Sequence, residues 1–369
     1  MAATKDDVLK ALSRVIDPQS GKDVVSAGLI EGLTVRDGNV GFAVEVPAAR
    51  GPSAEPLRKA CDAAVADLPG VFSVTAVLTA HNAPVNARRG HGHSHGQAPG
   101  VQQATPGIAG VTSIIAVASG KGGVGKSTVA VNLALGLSRL GLKVGLLDAD
   151  IYGPSVPRLL DIRHKPQSDG KKLIPIEKMG IKAMSIGFMV KEDEAMIWRG
   201  PMVQSALTQM MNDVAWAPLD VLVIDMPPGT GDAQLTIAQR VPLKGAVIVS
   251  TPQDIALIDA RKGIAMFNKT HVPVLGVVEN MSTFICPNCG HETHIFGHGG
   301  ARAEAERLGV PFLGEIPLTP IVRQTSDAGT PIVDYAPDSA EARAFLAVAE
   351  AVAKAIAAPQ RAAPRIVIE

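Results

Sequence analysis

The run Gly120-Lys121-Gly122-Gly123-Val124-Gly125-Lys126-Ser127-Thr128 has the residue types that wrap a triphosphate. Glycines let backbone N–H groups turn inward without Cβ clashes, and a helix opening at the end of such a loop adds donors and partial positive charge. Lys126 is placed to neutralise the β- and γ-phosphates, and Ser127 to offer its hydroxyl to Mg²⁺. Asp148 and Asp150 stand two apart further on. Such a pair can divide the work around a cation, one carboxylate orienting metal-bound water and the other aligning the attacking water. A third carboxylate, Asp225, ends a hydrophobic run over 221–224, as expected of a group that reaches Mg²⁺ through water. The segment after it, Met226-Pro227-Pro228-Gly229-Thr230-Gly231-Asp232, can sense a γ-phosphate through the N–H of Gly229 or Gly231 and so act as a switch. Pro227-Pro228 stiffens that segment. Asn280 leaves another apolar run with a side-chain amide that suits the adenine edge, or serves as an ordinary turn residue.

A second constellation is Cys286-Pro287-Asn288-Cys289-Gly290. Two cysteines with two residues between them are spaced to ligate one metal centre. Three chemistries compete. A redox dithiol lacks the usual helix N-terminus within a βαβ unit. A zinc knuckle fits Cys-Pro-x-Cys-Gly, with His291, His294 and His298 close behind. An iron–sulfur cluster typically takes four thiolates, which a symmetric dimer supplies by bringing two such pairs together across its axis.

The elements that must hold these groups are legible around them. A β-branched run over 112–117 precedes the glycine loop as a buried strand, and Val129, Leu133, Leu137 and Leu140 mark one side of the helix after it. Short apolar runs over 142–147, 221–224, 246–249 and 274–278 alternate with helical or loop stretches. The pattern predicts an α/β fold, a doubly wound and mostly parallel sheet with its ligand at the carboxyl ends of the strands. A small α/β domain is expected before it, over 1–84, in the order α-β-β-α-β. Its first helix carries Val8, Leu9, Leu12, Val15 and Ile16 and stops at Asp17-Pro18; strands over 33–36 and 40–46 flank Asp37-Gly38. A helix from Ser53 to about Leu68 and a strand over 71–78 complete it, with Cys61 inside the helix as a small buried residue. Residues 85–110 turn to Gly, Pro, Gln, Ala and His without periodicity, a flexible linker whose His91, His93 and His95 read as part of a solvated spacer. The larger domain then runs over 111–369. It closes with a helix over 339–357 whose apolar side, Phe345, Val348, Val352 and Ile356, suits core packing better than a membrane surface.

Composition narrows the partners. The chain of 369 residues holds 35 basic and 35 acidic side chains, so no global charge argues for nucleic acid or an anionic membrane. With 3 cysteines a disulfide framework is excluded as an organising principle, and a reducing, cytoplasmic compartment is expected. The N-terminus shows no apolar signal core, and no apolar run approaches the ~20 residues that span a bilayer.

Lys121, not required by the general loop pattern, makes the loop resemble the deviant phosphate loop of MinD/ParA-type ATPases. In order along the chain follow Asp148 to Ser155, Trp198-Arg199-Gly200-Pro201-Met202, Asp225 to Asp232, Glu279-Asn280-Met281, Cys286 to Cys289, Phe296-Gly297-His298-Gly299-Gly300 and Gly314-Glu315-Ile316-Pro317. Together they resemble the Mrp/ApbC family of iron–sulfur cluster carrier ATPases. The stretches Val15-Ile16-Asp17-Pro18, 23–30 and Leu68-Pro69-Gly70-Val71 resemble the PaaD/SufT-type domain of iron–sulfur assembly proteins. That domain often has a cysteine after its second strand, where this chain reads Pro47-Ala48-Ala49-Arg50-Gly51-Pro52. The resemblance implies a homodimer in which Lys121 reaches the partner's nucleotide, Asp150 positions water and Asp148 supports the metal. It implies a labile [4Fe–4S] cluster held by Cys286 and Cys289 of both chains, received from an assembly scaffold and passed to apo-proteins under control of ATP. A positioning or regulatory ATPase with a structural zinc at the cysteines is the alternative. For Trp198-Arg199-Gly200-Pro201 a dimer or switch contact is expected, with a plain helix entry as the alternative.

Overall fold

The structure, a computed structural model, describes residues 4–36, 39–47, 54–71, 73–81, 107–170, 172–189 and 200–358. The chain divides into two compact units, Met1–Pro99 and Gly100–Glu369.

In the first unit, α1 (Lys5–Leu12) begins with a capping box. Thr4 accepts the Asp7 N–H, and the Asp7 carboxylate accepts the Thr4 N–H. β1 (Ile30–Arg36) and β2 (Asn39–Pro47) pair antiparallel, α2 (Glu55–Ala66) follows, and β3 (Ser73–His81) lies parallel to β2. The α-β-β-α-β order thus stands. The first helix is shorter than its apolar spacing suggests, ending at Leu12. Beyond it Val15 and Ile16 join a tight loop in which Val24 N–H donates to the Val15 carbonyl and the Asp17 carboxylate accepts the Gln19 and Ser20 N–H groups. Val8, Leu12, Val24, Phe42, Val44 and Leu57 form the core around Cys61, whose thiol burial pushes up to about 11. The Asp37-Gly38 turn, Ser53, the loop over 48–53 and the three linker histidines lie outside the described residues.

The second unit is built on one nine-stranded sheet. Its elements are β4 (Val111–Ala118), α3 (Lys126–Arg139), β5 (Val144–Asp148), α4 (Val156–Leu159), β6 (Gln167–Ser168), β7 (Leu173–Ile174), β8 (Ile176–Lys178), β9 (Ile181–Ser185), α5 (Gly200–Asn212), β10 (Leu219–Asp225), α6 (Asp232–Arg240), β11 (Gly245–Ser250), α7 (Asp254–Lys269), β12 (Val274–Ile285), β13 (Glu292–Thr293), α8 (Gly300–Leu308), β14 (Phe312–Leu318), α9 (Pro320–Asp327), α10 (Ile332–Tyr335) and α11 (Ala340–Ala357). The strand order is β13-β12-β11-β4-β10-β5-β9-β8, with β14 also on β12, and only the edge strands β8 and β13 run antiparallel. β6 and β7 pair separately. The central strands are buried along nearly their whole length, which is why they read as continuous apolar runs. α3 buries most of its surface beneath the sheet and α11, whose Ala349 meets it at Gly136. Phe345, Val348 and Val352 of α11 are core residues, and among the described residues no helix is long and apolar enough to cross a membrane.

Candidate functional site

β4 lies between β10 and β11, so the glycine loop emerges among the carboxyl ends of parallel strands. The loop's shape requires glycine at two points. Gly125 has φ +80°, and a Cβ there would strike the Asn280 amide; a Cβ on Gly120 would strike the Asp259 backbone on α7. Asn280 Nδ2 donates to the Val124 carbonyl at 2.8 Å, tying β12 to the loop. Ser119 Oγ donates to the Lys121 carbonyl, while the Lys121 side chain stays partly exposed. Thr128 contributes its carbonyl to Asn132. Lys126, 6% exposed, places Nζ 2.5 Å from Asp225 Oδ1 and 3.2 Å from Ser127 Oγ. The adjacent lysine and serine thus meet a strand-end carboxylate 99 residues further along the chain.

The carboxylates divide by environment. β5 and β10 pair with Asp148 opposite Asp225, and both side chains are fully buried. Asp148 accepts the Val156 N–H, the Ser185 hydroxyl and the Asp150 N–H. Burial, and next the charge of Asp225, push its carboxyl up to about 7. Asp225 Oδ2 is buried with no hydrogen-bond partner. An orphaned buried carboxylate oxygen beside a serine hydroxyl and a second carboxylate is a donor set that fits a hard divalent cation such as Mg²⁺. Asp150 is half-buried, raised by that burial, and accepts the Gly153 N–H. It lines a cleft of about 530 Å³ with Tyr152, Pro227, Pro228, Gly231 and Gln234.

The segment after Asp225 is latched to the glycine loop. Gly229 N–H donates to the Ser119 carbonyl, so a γ-phosphate contact through Gly229 requires that bond to open; Gly231 stands at the N-cap of α6. Gln234, which the sequence did not point to, is 1% exposed and donates from Nε2 to the Pro227 carbonyl and, at 3.5 Å, to the Ser119 carbonyl. A glutamine in the first turn of an otherwise ordinary helix carries no signal of that role. Trp198-Arg199 lies outside the described residues, and Gly200-Pro201 opens α5.

β12 continues past Asn280 to carry the cysteines. Cys286 and Gly290 close a turn: Cys286 N–H donates to the His291 carbonyl and Gly290 N–H to the Cys286 carbonyl. The N–H groups of Cys289 and Asn288, with the Cys289 side chain, hold the Cys286 thiol below the usual range. Cys286 is half-buried and Cys289 exposed, with exposed Ile285 beside them. Two of the three histidines that a zinc knuckle could recruit have other partners. His298 Nε2 lies 2.8 Å from Glu315 Oε2 and its ring stacks on His294 at 4.5 Å. Among the described residues, the acidic, imidazole and thiol groups that converge within 4.8 Å are Glu279, His298 and Glu315, and no third ligand of these kinds joins the cysteine pair.

Loop, carboxylates and parallel sheet together define a P-loop ATPase of the MinD/ParA kind, and the cell division ATPase MinD of Pyrococcus furiosus shares the fold at a TM-score of 0.50, 24% identity, over 66% of this chain and 98% of that one. The profile of the NUBPL iron-transfer P-loop NTPase matches residues 110–353, and that of an iron–sulfur cluster assembly protein matches residues 5–77. The chain belongs to the NUBPL iron-transfer P-loop NTPase family. The iron–sulfur cluster transfer protein NUBPL of Dictyostelium discoideum is 52% identical over 267 residues, 72% of this chain and 82% of that protein. An iron–sulfur cluster carrier protein of Helicobacter pylori is 40% identical over 351 residues, 94% of this chain and 91% of that protein. A nucleotide-binding protein from Archaeoglobus fulgidus, solved with ADP and with cobalt found in it, is 42% identical with a TM-score of 0.56, over 63% of this chain and 91% of that one.

Proposed function

We propose that this chain is an ATP-dependent iron–sulfur cluster carrier. It acts as a homodimer in the cytoplasm, holding a labile [4Fe–4S] cluster as cargo between Cys286 and Cys289 of both subunits and delivering it to apo-proteins. The observation that carries the reading is the cysteine turn: two accessible thiols, one lowered toward thiolate, with no third ligand among the described residues. Two such turns complete the four thiolates a cluster takes. Relatives described as cluster carriers and cluster transfer proteins support the same cargo.

Nucleotide chemistry follows from the buried cluster. The loop N–H groups and Lys126 receive the β- and γ-phosphates, so Lys126 must exchange Asp225 for phosphate oxygen. Ser127, Asp148 and Asp225 are the residues to hold Mg²⁺, which when bound neutralises charge on the transferring phosphoryl group. Asp150 faces the cleft where water enters and aligns it on the γ-phosphorus; as that P–O bond forms and the bond to ADP breaks, the carboxylate accepts the water's proton. Lys121 of the partner subunit completes the charge on the phosphates, and Asn280, whose Nδ2 donates to the Val124 carbonyl, has its amide oxygen left to offer toward the adenine.

Anaerobic reconstitution with iron and sulfide, followed by iron per dimer and the visible spectrum, tests the cargo. Wild type should take up about four irons per dimer with the broad brown absorption of a cluster, and Cys286→Ala and Cys289→Ala should take up none. Stoichiometric, colourless zinc with no iron uptake would overturn the carrier reading in favour of a regulatory ATPase with a structural metal.

A further inference from the structure

The cysteine-bearing excursion runs from Met281, within β12, through the end of that strand and its β13 partner, to α8. Both of its feet are held by one dipeptide. Successive side chains on a strand point to opposite faces. On one face Asn280 reaches the Val124 carbonyl of the glycine loop; Glu279 serves the other. Its Oε1 accepts the Gly299 N–H at 2.8 Å and its Oε2 the Ala301 N–H at 2.7 Å. Those donors are N-terminal N–H groups of α8, which its own N-cap residue, Gly299, has no side chain to satisfy. Glu279 is fully buried, so breaking either bond leaves a charge or an N–H group without a partner inside the protein. The strand is also interrupted where the excursion begins. Met281 has φ +58°, a conformation unusual for a residue with a side chain, and the pairing of β12 with β14 shifts register between Asn280 and Phe284. The Met281 side chain itself reaches the space beside Gly125 of the glycine loop.

We propose that Glu279 is a positioning residue for the cysteine pair, and that Glu279-Asn280-Met281 links nucleotide occupancy of the glycine loop to metal occupancy of the cysteines within one subunit. A phosphate that reshapes the loop moves the Val124 carbonyl and hence Asn280. Because Glu279 follows rigidly and carries the α8 end of the excursion, departure and return points of the cysteine turn shift together. The linkage must run both ways, since a metal that fixes the turn changes nucleotide affinity by the same factor. It rests on the carrier reading only in taking the cysteines to bind metal.

The test uses the full chain and a fluorescent ADP, titrated with the cysteines free, loaded with Zn²⁺ and loaded with reconstituted cluster. Wild type should show a Kd ratio of about five-fold or more between metal-free and metal-loaded protein, within the usual span of coupling. Glu279→Gln, which sets an amide donor against one of the α8 N–H groups, should bind ADP and metal separately yet bring the ratio to within about two-fold of unity. Met281→Gly, which accepts the same backbone angle freely and keeps the fold if Glu279→Gln does not, should lower the ratio too. A wild-type ratio of one, or a full ratio retained in both variants, overturns the linkage. Iron uptake with a ratio of one sinks the linkage and spares the carrier reading; a ratio that moves with Zn²⁺ in a protein refusing iron does the reverse. If the cysteines bind neither metal, both fall.

Discussion

In the proposed nucleotide site Lys126 matters most, because its ammonium holds one buried partner, Asp225, and would exchange it for phosphate. With Asp225 0% exposed and its second oxygen orphaned, truncating the lysine leaves an uncompensated charge beside Asp148. Lys126→Ala should therefore destabilise the nucleotide-free protein by about 3–5 kcal/mol in urea unfolding, and Asp225→Asn in the same chain should recover much of it. Asp150 plays a different part, facing the cleft rather than the core. Asp150→Asn should lower ATPase kcat by about 10²–10⁴-fold while nucleotide affinity changes only a few-fold. Asp148 gives a pH signature. Its carboxyl is held at about 7, above the ordinary aspartate value, chiefly by burial. The folded state then binds a proton that the unfolded chain has released, so this group's contribution is full below about pH 4 and lost as pH rises through about 7. Stability measured in chelator should fall over that window more steeply in wild type than in Asp148→Asn, and parallel curves would contradict the assignment.

At the scale of elements, the glycine loop is a shape imposed from two sides. Asn280 on β12 and Asp259 on α7 close on it, and Gly125 sits at φ +80° with no room for a Cβ. Gly125→Ala should abolish detectable ADP binding in a calorimetric titration, with retained affinity as the contrary result. The loop and its flanking strand and helix were legible because backbone geometry forces their composition. The same holds for the runs that became β5, β10, β11 and the first half of β12, buried on both faces and therefore uninterrupted. β9 was not legible. Its sequence Ile-Lys-Ala-Met-Ser places Lys182 against the Trp216 and Ala217 carbonyls and Ser185 on Asp148, polar roles set by neighbours distant in sequence. β14 hid behind Gly314 and Pro317, and α1 looked longer than it is because Val15 and Ile16 are apolar for the sake of a loop. Gln234, to which the sequence did not point, and Glu279, noted there only within Glu279-Asn280-Met281 and without a role, act through backbone groups of other elements. No spacing records such partners.

For the molecule as a whole, the sequence expects two parts joined by a histidine-rich linker over 85–110, a stretch that lies mostly outside the described residues; the chain divides into units at Pro99 and Gly100. What the sequence could not show is how the proposed metal site is completed, since among the described residues Cys286 and Cys289 find no third ligand. The carrier account turns that incompleteness into function: a site finished only by a second copy opens when the copies separate, and ATP at the glycine loop sets the terms. Cluster transfer tests this most directly. Protein loaded anaerobically and freed of excess iron is mixed with an apo enzyme that needs a [4Fe–4S] cluster, with and without ATP, while the acceptor's activity is followed under a chelator of free iron. Acceptor activity should recover at a rate that ATP changes, and should not recover with Cys286→Ala protein treated identically. Recovery equal to that from the cysteine variant, or none from loaded wild type, would contradict the carrier reading.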